Sequence, residues 1–314
     1  MMEVPLPETA GPEALVKVMM AGICATDIEL FYGYQGFEGI PGHELVGMVE
    51  QAPQAPGLVG KRVVADINVG CGKCPQCRNG NARHCPSRSA IGIRGRDGAF
   101  AEYCAVPASN LVVLPDHLEA IDAVFAEPLA AALEITRQIH ICQDTRIAVL
   151  GDGKMGQLCA LALDQYSANL ILLGRHADKL ARAAGQGIST FNIAAMAMET
   201  MGPGWESVFD VVVEATGNPD AINLAMALVR PEGRIVVKTT AHRRAVMDLS
   251  ALVVNEIMLV GSRCGDIGFA VKWLADQRIQ PASLVEQVYP FTDFQTAFEH
   301  AMTRGSRKVL LAFE

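Results

Sequence analysis

Four cysteines close together in the chain are its strongest sign of metal chemistry. Cys71, Cys74, Cys77 and Cys85 follow a C-x2-C-x2-C-x7-C spacing in a segment rich in Gly, Pro, Asn and Arg. The segment has few apolar side chains of its own, whereas four thiolates around one tetrahedral zinc would hold it together and leave no open coordination position. Close cysteine spacing is also compatible with an iron–sulfur cluster. We favour a structural zinc.

A second set of possible metal ligands comes earlier in the chain. Cys24 lies in a turn after an apolar run, and His43 and Glu44 precede the next apolar run. Such ligand types beside strands suit a zinc ion that keeps one position open for substrate. Residue type alone also allows a buried thiol and an unrelated surface histidine. Glu127, just before Pro128 at a predicted helix start, is either an acid favoured by the helix dipole or a further ligand.

The elements that would hold a cofactor lie near the middle of the chain. An apolar run ends in Gly151, Gly153 and Gly156, and a run compatible with a helix, residues 157–163, follows at once. This pattern is typical of the strand, glycine turn and helix start of a dinucleotide-binding unit, where the helix N-terminus faces phosphate oxygens. A glycine-rich turn can also be a simple connection between a strand and a helix.

Apolar runs predict the architecture around these residues. Runs at 15–20, 45–49, 98–103 and 106–114 predict strands of a β-rich first domain. Later runs at 169–173, 209–217, 233–239 and 257–265 alternate with helical stretches such as 221–229, which predicts a parallel, doubly wound α/β sheet.

The segment after the second strand of this sheet bears on the choice of cofactor. An NAD enzyme usually places an acid there to bind the adenosine ribose. This chain has Gly174, Arg175 and His176 instead, with Lys179 one turn later. We infer that no carboxylate opposes a 2′-phosphate and that Arg175 could bind one, which favours NADP. The alternative is a solvated arginine and NAD.

Length, charge and composition exclude several classes of protein. The 314 residues suggest two domains, and the net charge of -8 argues against a nucleic-acid partner. We find no signal-peptide pattern and no apolar run of the roughly 18 residues that span a membrane. The nine cysteines are then expected to be metal ligands or reduced thiols. We predict a soluble, cytoplasmic protein.

The motifs, taken in order, resemble those of a known superfamily. GIC-x-TD, PGHE, the four-cysteine segment, EPLA and GDGKMG are similar to the zinc-containing medium-chain dehydrogenases/reductases, most of all to the polyol (sorbitol), threonine and glucose dehydrogenase branches. The resemblance covers nearly the whole chain. It implies a discontinuous GroES-like catalytic domain, residues 1–130 and 266–314, and a Rossmann domain, residues 131–265. It also implies two zinc ions per chain, NAD(P), and a homodimer or homotetramer.

The resemblance also implies a role for each candidate ligand. Cys24 and His43 would bind the catalytic zinc, and Glu44 would join them or stand just behind. Glu127 would take the remaining protein position, where classical alcohol dehydrogenases carry a cysteine. The four cysteines of the later segment would bind the structural zinc.

Further roles follow from the same resemblance. Asp27 would fix the tautomer of His43, and Thr26 would pass the alcohol proton to Glu29 or to water. Cys264 is expected to be a packed thiol, and aromatic residues 31, 32 and 100 are expected near the substrate. The implied cofactor-binding residues are Gly151, Gly153, Lys154, Met155, Gly156, Gly174, Arg175, Thr216 and Ser262.

The expected reaction is hydride transfer between a secondary alcohol, polyol or sugar and the nicotinamide, with zinc as Lewis acid. Three alternatives remain: a carbonyl reductase working in the reverse direction, a non-catalytic sensor that binds NADP(H), and a zinc-free quinone-reductase-like enzyme. The complete ligand set argues against the last two.

Overall fold

The chain forms two compact units in the computed structural model. One consists of residues 1–130 and 266–314, and the other of residues 131–265. The structure describes residues 2–9, 11–33, 36–194, 205–240 and 243–314. Within those ranges, every helix is too short or too polar to cross a membrane.

The first unit is built on a seven-stranded sheet and carries most of the short helices. The seven strands of this sheet are β1 Glu13–Ile23, β2 Glu44–Gln51, β3 Arg62–Ala65, β7 Tyr103–Pro107, β8 Leu111–Val113, β15 Val285–Pro290 and β16 Lys308–Ala312. A separate three-stranded sheet consists of β4 Asn68–Val69, β5 Ser89–Ile91 and β6 Gly95–Arg96. Its helices are α1 Ala25–Phe31, α2 Pro75–Arg78, α3 Ala120–Ala123, α9 Ile267–Ala275 and α10 Phe294–Met302. Helix α4, Ala126–Gln138, leads into the second unit.

Strand β1 organises this sheet. The order is β15-β16-β1-β2-β3-β8, and β7 also pairs with β1. The apolar side chains of β1, such as Val16 and Val18, are buried in a core with residues of β2, β7 and α10. Because β1 ends at Ile23 and β2 begins at Glu44, antiparallel pairing places the two ends side by side, with Gly22 opposite Glu44.

One predicted strand of the first unit is wrong. Residues 98–102 form no strand, with bends at 99–102, and β7 begins only at Tyr103. The amides of Gly98, Ala99 and Phe100 donate to the carbonyls of residues 40, 42 and 41. Their backbone hydrogen bonds therefore support the segment that carries His43 and do not join a sheet ladder. The predicted run 106–114 is likewise divided by a 3-10 turn, Ala108–Asn110.

The second unit is a six-stranded parallel sheet. Its strands are β9 Ile147–Leu150, β10 Leu170–Gly174, β11 Thr190–Asn192, β12 Phe209–Glu214, β13 Val229–Val237 and β14 Met258–Gly261. Its helices are α5 Lys154–Asp164, α6 Ala177–Gly185, α7 Ala221–Leu228 and α8 Leu249–Val254. The order β11-β10-β9-β12-β13-β14 is that of a Rossmann sheet, with the strand order reversing beside β9. The predicted fold class is confirmed.

Candidate active site and nucleotide site

Three of the predicted ligands meet where β1 and β2 lie side by side. Cys24 follows β1, His43 precedes β2 and Glu44 begins it. One ligand atom from each lies within 4.8 Å of the other two. His43 and Glu44 are buried and Cys24 is partly exposed, so the cluster is reached from the cysteine side.

The buried carboxylate of Asp27 fixes the histidine ring. Asp27 Oδ1 lies 3.1 Å from His43 Nδ1, and Oδ2 accepts a 2.8 Å hydrogen bond from the Cys24 amide. Burial lowers the pKa of His43, but the charge and hydrogen bond of Asp27 outweigh this and raise it well above its usual range. In the neutral ring, an Nδ1–H donated to Asp27 leaves the lone pair on Nε2, the form needed to bind a metal.

Glu44 is held from behind by a lysine that the motif analysis did not identify. Lys308, at the start of β16, is buried and donates to Glu44 Oε2. Burial lowers the pKa of Lys308, but the Glu44 carboxylate outweighs it, so the pKa is raised and the lysine is charged. Gly22 is required here, because a Cβ atom at that position would overlap the Glu44 carboxylate.

The other oxygen of this carboxylate supports a metal site. Glu44 Oε1 is buried and has no hydrogen-bond partner among the described residues. Leaving a buried acceptor unpaired costs about 1–3 kcal/mol, and a cation bound beside Cys24 and His43 would remove that cost. The donor set of sulfur, imidazole nitrogen and carboxylate oxygen suits zinc.

Glu127 lies near the cluster but outside its closest set. It sits in the first turn of α4, and its carboxyl does not join the three atoms that lie within 4.8 Å of one another. Burial raises the pKa of Glu127, while the charges of His43 and Lys308 oppose the shift. The carboxyl group is therefore close enough to interact electrostatically with this site.

The four-cysteine segment forms the second cluster. Ligand atoms of Cys71, Cys74, Cys77 and Cys85 all lie within 4.8 Å of one another. Amides of the loop already point at the sulfur atoms: the Cys71 amide is 3.4 Å from Cys85 Sγ, and the Cys77 amide is 3.4 Å from Cys74 Sγ. Hydrogen bonds from two further amides lower the pKa of Cys71 to about 6. The arrangement fits a closed tetrathiolate site.

A cavity of about 260 Å³ lies at the carboxyl ends of β9 and β10 in the second unit. Among the predicted cofactor residues, those that line it are Gly151, Gly153, Gly174, Arg175 and Thr216. Lys154, Met155, Gly156 and Ser262 do not line it. A Cβ atom on Gly156 would lie 1.8 Å from the Gly151 carbonyl oxygen, so this glycine lets α5 pack on the turn.

The expectation that no carboxylate stands at the end of β10 is wrong. The Asp152 side chain, from the glycine turn, accepts 2.7 Å hydrogen bonds from the amides of Arg175 and His176 and lies 2.9 Å from His176 Nδ1. Burial would raise the pKa of Asp152, but the N–H groups of His176 and Arg175 outweigh it and hold the pKa below its ordinary value. Asp152 is therefore an ionised acid beside Arg175.

Comparison with known proteins identifies the family. Residues 10–116 match the alcohol dehydrogenase GroES-like domain, and residues 155–276 match the zinc-binding dehydrogenase family. An erythritol/L-threitol dehydrogenase of Mycolicibacterium smegmatis is 31% identical, covering 95% of this chain and 89% of its own. D-arabitol-phosphate dehydrogenase of Enterococcus avium is 29% identical, covering 98% and 91%. A solved zinc-binding dehydrogenase of Sinorhizobium meliloti, bound to NADP, is 28% identical with a TM-score of 0.89, covering 98% and 94%.

The chain belongs to the zinc-containing medium-chain dehydrogenase/reductase superfamily. The resemblance inferred from five short motifs is confirmed. The protein is therefore an oxidoreductase, and the relatives that it matches are named as dehydrogenases of polyols and of L-threonine.

Proposed function

We propose that this protein is a zinc- and NADP-dependent dehydrogenase of polyols, which moves a hydride between a secondary carbinol carbon and the nicotinamide. The observation that carries the proposal is the cluster of Cys24, His43 and Glu44, in which one buried carboxylate oxygen lacks a partner among the described residues. Two relatives with matching length are named for polyol substrates, an arabitol phosphate and erythritol or threitol, which supports this substrate class.

The residues of the cluster have different roles. Zinc held there would act as a Lewis acid on the substrate oxygen and ease loss of the alcohol proton. Cys24, His43 and Glu44 would hold the ion, with Glu127 near enough to add its charge. Lys308 neutralises Glu44 from behind, so the site retains an anionic ligand set without an uncompensated buried acid.

The alcohol proton has a short path along α1. Thr26 is in the first turn of this helix, and its hydroxyl lies 3.9 Å from Cys24 Sγ. Glu29, one helical turn later, is exposed. We propose that Thr26 passes the proton to Glu29 or directly to water, since this side of the helix is open to solvent.

The choice of NADP rests on two cations beside the nucleotide cavity. Arg175 is exposed and Lys179 is buried, and both line the cavity. Neither side chain has a hydrogen-bond or ion-pair partner in the parts of the chain that the structure describes. A 2′-phosphate would provide a partner for both. The relative solved with NADP shows that a structure of this family can bind that cofactor.

The test combines metal content, cofactor binding and turnover. We expect about two zinc ions per chain, binding of NADPH in a fluorescence titration, and reduction of NADP when polyols are supplied. Arg175→Ala should weaken NADPH binding about 10- to 100-fold, the value of a charged hydrogen bond. NADH binding should change little.

The control is Arg244→Ala, which removes an exposed arginine outside the cavity lining and should leave both affinities unchanged. Equal losses of NADPH and NADH binding in Arg175→Ala would show that the 2′-phosphate assignment is wrong. Cofactor binding without turnover on any polyol, sugar or ketone would instead favour the sensor, and one zinc per chain would count against the Cys24 site.

We also propose that the protein assembles through the β14 edge of its parallel sheet. No described strand pairs with the outer side of β14. Large exposed apolar side chains define an edge surface there: Val246, Leu249, Val253, Val254, Met258 and Leu259. Apolar patches beside a free strand mark interaction sites. Because β14 has no charged residue, a second copy can pair with it symmetrically without like charges facing each other.

Light scattering should therefore give a dimer or tetramer. Leu259→Lys should dissociate it at this edge, because the substitution would bury an unpaired charge. Val59→Lys, at an exposed apolar residue of the other unit, is the matched control and should leave the mass unchanged. A monomeric wild-type protein, or an unchanged mass in Leu259→Lys, would contradict the proposed interface.

A further inference from the structure

The glycine turn of the nucleotide site contains an acid that neither the motif nor the family comparison assigns. Asp152 lies between Gly151 and Gly153, is only 6% exposed and lines the cavity. No described residue far from this site forms a hydrogen bond with its carboxylate. Among the described residues, the hydrogen bonds to this carboxylate come from the two residues that follow β10, Arg175 and His176.

This carboxylate stands where a side chain on residue 174 would begin. An ideal Cβ atom on Gly174 would lie 2.4 Å from Asp152 Oδ2 and 2.7 Å from Asp152 Cγ. The end of the second strand is the place where nucleotide-binding folds of this type carry the acid that binds the adenosine ribose. In this chain the strand position is a glycine, and the acid reaches the same place from the preceding turn.

Asp152 also retains capacity to accept a further hydrogen bond. An ionised carboxylate offers about four acceptor positions. Three N–H groups donate to this carboxylate. The amides of Arg175 and His176 donate to Oδ2, and the ring nitrogen of His176 lies nearest Oδ1. One position, on the Oδ1 side, is left for a hydroxyl group.

We propose that Asp152 is the ribose-binding acid of this protein, and that it sets cofactor choice by favouring a 2′-hydroxyl where Arg175 and Lys179 favour a 2′-phosphate. The three groups line one cavity. The carboxylate accepts a hydrogen bond from the hydroxyl of NAD and repels the phosphate of NADP, whereas the two cations attract the phosphate. The protein consequently accepts both cofactors, with their ratio set by this balance. This inference rests on the nicotinamide-dependent function proposed above.

The test measures dissociation constants of NADH and NADPH for purified, metal-loaded protein by fluorescence titration. Asp152→Asn keeps the size of the side chain and an oxygen that can accept from the loop amides, but removes the charge. It should weaken NADH binding about tenfold, as loss of a charged hydrogen bond does. NADPH binding should be retained or become tighter. Asp152→Ala should move the ratio in the same direction.

Competition with 5′-AMP and 2′,5′-ADP restricts the measurement to the adenosine end, because these two probes differ only in the 2′-phosphate. The ratio of their inhibition constants should shift with Asp152→Asn as the ratio for the whole cofactors does. Asp178→Asn is the matched control: it removes an exposed acid from the first turn of α6, outside the cavity lining. That variant should change the ratio by less than about twofold.

Two failures can be told apart. If wild-type protein binds neither NADH nor NADPH, the nicotinamide-dependent function itself is wrong. Wild-type protein could instead bind the cofactors while Asp152→Asn leaves the ratio of their dissociation constants unchanged, or while both variants weaken NADH and NADPH binding by the same factor. In either case Asp152 only supports the loop. That result would overturn the assignment.

Discussion

Cys24→Ala should lower kcat/KM for alcohol oxidation by about 1,000-fold or more, because a bound metal contributes several kcal/mol to stabilising the developing charge on the substrate oxygen. Cys24 offers the only thiol in its cluster, and the change is small: the residue is partly exposed, and the amide that donates to Asp27 is kept. The fold should therefore survive. Cofactor binding should also survive, since the cavity is lined wholly by residues of the second unit.

The matched control is Cys142→Ala, which removes an exposed thiol that belongs to neither metal cluster. It should leave turnover and zinc content at wild-type values. For Cys24→Ala, metal analysis should show loss of about one zinc per chain, with the other retained. A Cys24→Ala protein with near wild-type turnover would contradict the proposed catalytic role of this cluster.

Cys74→Ser should lower the stability of the protein strongly but change kcat of the folded enzyme little. A structural zinc contributes on the order of 10 kcal/mol to folding its site, so losing one of four thiolates should lower the free energy of unfolding by more than about 3 kcal/mol. The four-cysteine segment depends on this contribution, since in residues 71–85 only Cys85 is buried among the side chains. We expect Tm to fall by about 10 °C.

Turnover per folded molecule separates the two metal sites. In Cys74→Ser, kcat measured below the new Tm should stay close to wild type, whereas the Cys24 variant should be stable and inactive. Cys142→Ser controls for the loss of a thiol and should melt with the wild-type protein. A Cys74→Ser protein that has lost zinc yet melts normally would contradict the structural role.

The amino-acid sequence was sufficient for the features that depend on neighbouring residues. The four cysteines lie within one short loop, so their spacing alone predicts that they can meet around one ion. The glycine turn likewise combines a tight turn with helix packing over six residues, 151–156. Apolar periodicity predicted the parallel sheet, and the predicted helical stretch 221–229 is one residue longer than helix Ala221–Leu228.

Sequence reasoning failed where the partner lies elsewhere in the chain. Lys308 stabilises Glu44 across 264 positions, and nothing local to the last strand indicates that its lysine is buried. Residues 98–102 have a strand-like composition, yet their amides bond to the segment before His43. These residues do not form the strand that their composition favours, because their backbone amides donate to carbonyl groups of the segment before His43.

Asp152 shows most directly what only the tertiary structure decides. The sequence supplies an acid in the turn and a glycine at position 174, and inspection of the strand end alone suggested that the ribose acid was missing. Parallel pairing of β9 with β10 brings the turn after one strand beside the end of the other. The missing Cβ atom of Gly174 leaves the space that Asp152 fills. The sequence thus determines which side chains are present, but the order of strands in the sheet decides which of them share a site.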